Sequence, residues 1–173
     1  MTVWSNDDGL DVRFGTSKAD LRLGGKLSTY GAMAEIRVKI IGTSVPAQGT
    51  VAANVIDKKV TIPTNSYLDA VTSQLFVDTA FTSGGSATLD IGLMADDGDG
   101  TYTVLDDDGI DAAIAVGTLV LDYDTVPDGA QMGTSPVNAV TGLPMAISYG
   151  YNTAAFTAGA ATLVLRYRPP VTS

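Results

Sequence analysis

Two residue types are missing from this chain of 173 residues, and each absence removes a class of chemistry. There is no cysteine, so no disulfide staples the fold and no thiolate serves as nucleophile or metal ligand. There is no histidine, which removes the commonest general base, the commonest metal ligand and the usual sensor of mild acid. Ser-His-Asp and Cys-His machinery therefore cannot be built. Glutamate occurs once, at Glu35, and the aspartates that might pair for glycoside hydrolysis cluster in Gly-containing turns, where they read as solubilising charge rather than buried acids. No Gly-rich phosphate loop with its lysine follows a strand. These gaps lead us to expect a protein that is not an enzyme.

Positive charge is scarce and unevenly placed. No lysine or arginine occurs between Lys59 and Arg166, an interval holding thirteen aspartates, and the net charge is −9. A body this acidic repels nucleic acid over the reach of its field, about 8–10 Å at moderate salt, so no nucleic-acid partner is expected. Long apolar runs are missing too. The longest, AAIAVGTLVLDY, is too short and too acid-flanked to cross a bilayer, so no membrane partner is expected either. The opening MTVWSNDDGLDVRFG lacks a basic segment followed by an apolar one, which predicts a protein made and kept in a cytoplasm or released by lysis.

What the chain does have is glycine, threonine, alanine and valine in a pattern of short strands and turns. Its length suits a single domain able to bury a core unaided. Residues 1–31 lack sustained periodicity and read as an extended N-terminal arm, with residues 32–173 as the body. The arm carries Arg13, Lys18, Arg22 and Lys26 among several aspartates, with Trp4 and Phe14 as apolar anchors, and is suited to ordering against an acidic partner. Its bland alternative is a solvated tail of mixed charge.

Met33 to Ile41 alternates cleanly: Ala34, Ile36, Val38 and Ile40 on one face, Glu35, Arg37 and Lys39 on the other. That is a half-buried strand, and the charges suit an edge. Two short strands are expected around Asp57 and Lys58, the second stopped by Pro63. A short helix over 66–71 and another over 110–116, capped by Asp108, are weighed alongside a strand over TYTVL and one over GTLVLDY. Residues 124–144 read as a long loop.

One motif occurs twice. Residues 80–93 read AFTSGGSATLDIGL and residues 155–167 read AFTAGAATLVLRY. Each copy follows another strand-like run, so we expect two related hairpins turning at 83–85 and 158–159. Leu89, Ile91, Leu163 and Leu165 should be core. About eight strands with little helix make an all-β, two-sheet β-sandwich, jelly-roll-like, with the immunoglobulin type as the alternative.

Two features invite a functional reading. ADDGDGTYTVLD, residues 95–106, lies on the calcium-loop pattern with Asp97, Asp99, Gly100 and Asp106 in matching places, and Asp106, Asp107 and Asp108 could join it around a shared ion. The first ligand position, however, is Ala95 and the last is aspartate, so plain Asp-Gly turns are the expectation and no metal is assigned. Tyr149, Tyr151 and Tyr167 fit either a sugar- or protein-binding surface or ordinary packing.

WSNDDGLDVRFG, IPTNSYLDAVTSQLFVDTAFTSGGSATLDIGL, DGIDAAIAV and the closing FTAGAATLVLRY together resemble small virion structural proteins of tailed bacteriophages, of the capsid decoration or cement type. The resemblance spans most of the chain but carries no catalytic motif. It implies a structural role without a cofactor, on the outside of the major-capsid lattice, with the major capsid protein and further copies of itself as partners, as a trimer or dimer of β-sandwiches. Assembly would be in the host cytoplasm. On this view Trp4, Arg13, Phe14, Lys18, Arg22 and Lys26 make the capsid or subunit contact, and a trimer is expected. The alternative is a carbohydrate-binding β-sandwich module of a phage fibre or tail.

Overall fold

The structure is a computed structural model that describes residues 33–49, 52–134 and 142–170, with the backbone of three short strands before them. Those strands are β1 (Thr2–Ser5), β2 (Asp11–Phe14) and β3 (Ser28–Tyr30). β1 pairs with β2, and β3 pairs with β4 (Met33–Ile41). Lys18, Arg22 and Lys26 lie outside the described residues, as do the side chains of Trp4, Arg13 and Phe14.

Nine strands follow without an α-helix among the described residues: β4, β5 (Thr61–Ile62), β6 (Tyr67–Leu68), β7 (Gln74–Ser83), β8 (Thr88–Asp96), β9 (Tyr102–Ala115), β10 (Asp124–Thr125), β11 (Met145–Asn152) and β12 (Phe156–Arg168). The larger sheet runs β10-β7-β12-β4-β3, with β6 also on β12; the smaller runs β5-β11-β8-β9. Every pairing is antiparallel. The inward faces meet in one core, where Ile36, Val38 and Ile40 of β4 and Leu163 and Leu165 of β12 oppose Leu89, Ile91 and Leu93 of β8. The protein is therefore an all-β, two-sheet sandwich. The four residues expected in the core, Leu89, Ile91, Leu163 and Leu165, are all 0% exposed.

The repeated motif does not form two hairpins. β7 and β8 belong to different sheets, and so do β11 and β12. The chain crosses the sandwich at 84–87 and again at 153–155. β7, whose end opens the first copy, pairs instead with β12, which holds the second, in the larger sheet, and β8 pairs with β11, the run before the second copy, in the smaller. Apolar side chains on both partners of each crossing face the same core, one from each sheet. Gly159 is no turn residue either. It lies inside β12 at φ +123°, where the register against β7 slips, and a Cβ there would penetrate the Phe81 ring. Phe81 and Phe156, the phenylalanines of the two copies, meet edge to face with centroids 5.2 Å apart.

Other expectations also change. β4 lies between β12 and β3, so its charges mark an outward face rather than an edge. The expected strand through Asn54 is a 3-10 turn at Ala52–Asn54 followed by a lone bridge from Val55 to Ser148. No helix forms over 66–71; the Asp69 carboxylate accepts from the amides of Val71 and Thr72 and closes a turn. TYTVL and the expected helix after Asp108 are one bent strand, β9. GTLVLDY is irregular, because only Leu119 of its apolar run is buried, while Val120 and Leu121 face solvent.

Candidate functional site

Two surfaces concentrate the polar chemistry. The first is the outward face of the larger sheet. Glu35 on β4 accepts from Arg37 Nε at 2.7 Å and from Arg166 Nε of β12 at 2.9 Å. The Arg37 guanidinium, opposed by partial burial and joined by Arg166, holds the Glu35 carboxyl below its ordinary range. Arg166 also donates from Nη1 to the carbonyl of Thr72 at 2.7 Å, and Thr162 Oγ1 donates to Asp78 at 2.8 Å. Arg168 stacks over the Tyr67 ring, 4.5 Å from its centroid. Four of the chain's ten basic residues, Arg37, Lys39, Arg166 and Arg168, thus share this face.

The second surface is the β8–β9 edge, and it is acidic. Residues 97–101 join the two strands. Within and beside that turn the carboxylates of Asp96, Asp97 and Asp99 each accept from the amide two residues on. Hydrogen bonding from Thr101 lowers the Asp99 carboxyl pKa. Ala95, at the place where a calcium loop needs its first carboxylate, is 1% exposed inside β8, and Asp106 stands in β9 opposite Leu93. Asp97, Asp99 and Asp106 are therefore parts of a β-hairpin, not of one continuous ion-binding loop. The carboxylates of Asp106, Asp107 and Asp108 do lie within 4.8 Å of one another. Asp108 is raised in pKa by the adjoining Asp106 carboxyl and by partial burial.

β9 is longer than its partner. Between the pairs Leu93–Asp106 and Ile91–Asp111 it spends five residues against two on β8. The surplus folds over Gly92, whose missing Cβ leaves room for the backbone of Asp106 and Asp107. Gln48 crosses Gly150 in the same way and donates to the carbonyl of Asp107 at 3.2 Å.

Two aspartates are buried acids and not solubilising charge. Asp90 and Asp111 are each only 5% exposed. Asp90 accepts from the Ala113 amide at 2.6 Å and from the side-chain amide of Asn152. Asp111 is pushed up to about 7, first by burial and then by the charge of Asp128. Sequence reasoning missed both. The available signal was their position inside otherwise apolar alternation, at LDIGL and GIDAAI.

The tyrosines do not make one platform. Tyr167 is buried in the core, whereas Tyr149 and Tyr151 are half-buried on β11. Tyr149 donates from its hydroxyl to the carbonyl of Ser44 at 3.1 Å. Burial raises the pKa of both Tyr149 and Tyr167.

Among the described residues no helix is long and apolar enough to cross a membrane. The geometry defines a β-sandwich with one mixed-charge sheet face and one acidic edge. No family model matches the chain, and no curated protein matches it. A chain from a solved structure described as the capsid of Ralstonia phage GP4 overlays it with a TM-score of 0.50 at 18% identity, covering 82% of this chain and 87% of that one. At that identity the likeness is one of fold.

Proposed function

We propose that this chain is a non-enzymatic virion structural protein of a tailed bacteriophage, a capsid decoration or cement protein that binds the outside of the major-capsid lattice and stabilises it. The observation that carries the reading is the overlay of the sandwich, over most of both chains, on a chain of a phage capsid. Three features support it. The acidic β8–β9 edge suits solvent rather than packaged nucleic acid. The mixed-charge face of the larger sheet suits a protein partner. Val120, Leu121 and Val126 are exposed around β10, a two-residue strand at the edge of that sheet, where a neighbouring subunit would cover them.

The partners on this reading are the major capsid protein and further copies of the chain, as a trimer at local three-fold positions of the shell. A ring of copies multiplies weak lattice contacts through effective concentration. The arm, with Trp4, Arg13, Phe14, Lys18, Arg22 and Lys26, makes the lattice or neighbour contact, since aromatics and arginine dominate interface energetics. The test is co-sedimentation with capsids stripped of accessory proteins, for the full chain and for a chain lacking residues 2–25. We expect the full chain to bind and the truncated one to fold but not bind. Failure of the full chain to sediment with any capsid removes the decoration reading; undiminished binding after truncation removes only the arm's role.

A further inference from the structure

We propose that Asp111 and Asp128 share one proton, and that this proton latches the segment 126–134 onto the free edge of β9. The inference does not depend on the virion reading.

Asp111 sits in β9 with one carboxylate oxygen, Oδ2, fully buried and without a donor among the described residues. Buried acceptors of that kind are rare in folded proteins and need an explanation. Asp128 precedes Gly129, whose amide bonds the carbonyl of Ile110 next to Asp111, and this sets the Asp128 carboxyl beside that of Asp111, with Asp90 on the neighbouring strand β8. From its own strand Asp111 receives the Ala112 amide, and no ion pair to a lysine or arginine forms at it among the described residues. Two carboxylates that close resist ionising together, and below the raised value one proton held between them makes one a donor to the other.

The pair stands where a segment docks. Gly129, the residue after Asp128, donates to the carbonyl of Ile110 at 2.9 Å, and Gln131 donates its amide to the carbonyl of Gly109 at 2.8 Å. Gly129 lies so close on the Gly109 and Ile110 backbone that a Cβ would not fit. Gln131 also donates from Nε2 to Asp106 at 2.8 Å. The segment thus extends the smaller sheet at its β9 edge, where every nearby side-chain charge is negative. With the proton in place Asp111 and Asp128 hold the junction together; without it they push it apart. Burial and the neighbouring carboxylates raise the proton affinity of Asp111 toward neutrality, which places the change inside the physiological range.

The absence of histidine makes the test clean. Ordinary aspartates have finished titrating by about pH 5.5 and the α-amino group begins near 7.7, so between pH 5.5 and 7.5 only shifted carboxyls change charge. We expect the midpoint of thermal unfolding to fall by roughly 4–8 °C across that window. Exchange protection at the Gly129 and Gln131 amides, corrected for intrinsic rates, should fall about ten-fold over the same window, in step with the carboxyl carbon shift of Asp111. Asp111→Asn supplies a permanent donor to Asp128 and should abolish both trends; Asp128→Asn makes the same exchange from the exposed side if the first variant does not fold. A wild-type midpoint that stays flat across the window overturns the proposal, as do variants that keep the full drop. Restoration at pH 7.5 by Ca²⁺ alone would put a metal where we place the proton, and overturns it too.

Discussion

Leu163 is the side chain whose loss should be felt most clearly. It is 0% exposed in β12, paired with Val38 on one side and Leu75 on the other. Leu163→Ala should cost about 2–5 kcal/mol and lower the unfolding midpoint by several degrees, read by calorimetry. Glu35→Gln provides the contrast. It breaks two ion pairs, but Arg37 is 54% exposed and Arg166 35%, so water already screens both. Its cost should stay below about 1 kcal/mol in chemical denaturation. The Asp111 carboxyl carries a definite sign. Its ordinary value is 3.8 and its folded value about 7, so the folded state holds the proton more tightly. The stabilisation it contributes is full below the lower value, declines as pH rises between the two, and is gone above the upper one. A stability profile that climbs from pH 5.5 to 7.5 would contradict that sign.

At the scale of elements, Asp90 joins three strands. It leaves β8, accepts from the amide of Ala113 in β9 and receives Asn152 at the end of β11. Ala113 has φ +51°, a left-handed conformation in the irregular stretch of β9 that the Asp90 carboxylate helps to hold. Asp90→Ala removes the buried carboxylate that accepts both bonds and should destabilise by about 1–3 kcal/mol, with the loss of protection concentrated at Ala113. How much of this was legible follows from period and partner. The alternation of β4, β8 and β12 is written in Ile36–Val38–Ile40, Leu89–Ile91–Leu93 and Leu163–Leu165–Tyr167, because a two-residue period needs no knowledge of the rest of the chain. Which strand each one pairs with was not written there. AFTSGGS looks like a hairpin turn, yet its strands diverge into opposite sheets, and only the packing of Phe81 on Phe156 and Gly159 shows why. β9 was read as strand plus helix because DDDGIDAA combines a cap-like aspartate with helix-forming alanines. Its extra residues have meaning only against Gly92 on another strand. The burial of Asp111 was signalled by its place in GIDAAI, but its pairing was not, since its neighbour Asp128 is distant in sequence.

At the scale of the whole molecule, the described residues divide their charge unevenly: four bases share one sheet face with Glu35 and Asp78, and acids line the opposite sheet's β8–β9 edge. Removing divalent ions with EDTA should leave the unfolding midpoint unchanged, because Ala95 is sealed in a strand where an ion-binding loop would begin. A loss on chelation that Ca²⁺ alone reverses would refute this. The position of β12 has a further consequence. β12, which comes after every other described strand in chain order, is flanked by β7 and β4, and so lies inside the larger sheet rather than at its border. β8 likewise waits for β11. A nascent chain on the ribosome therefore has a complete β8–β9 pair but no closed core until residues beyond 156 emerge. Folding is then a single late event rather than a progressive one, slow by the standards of local topologies. A chain stopped before Phe156 should be protease-sensitive throughout, which lets a cell discard unfinished copies before they can compete with finished ones.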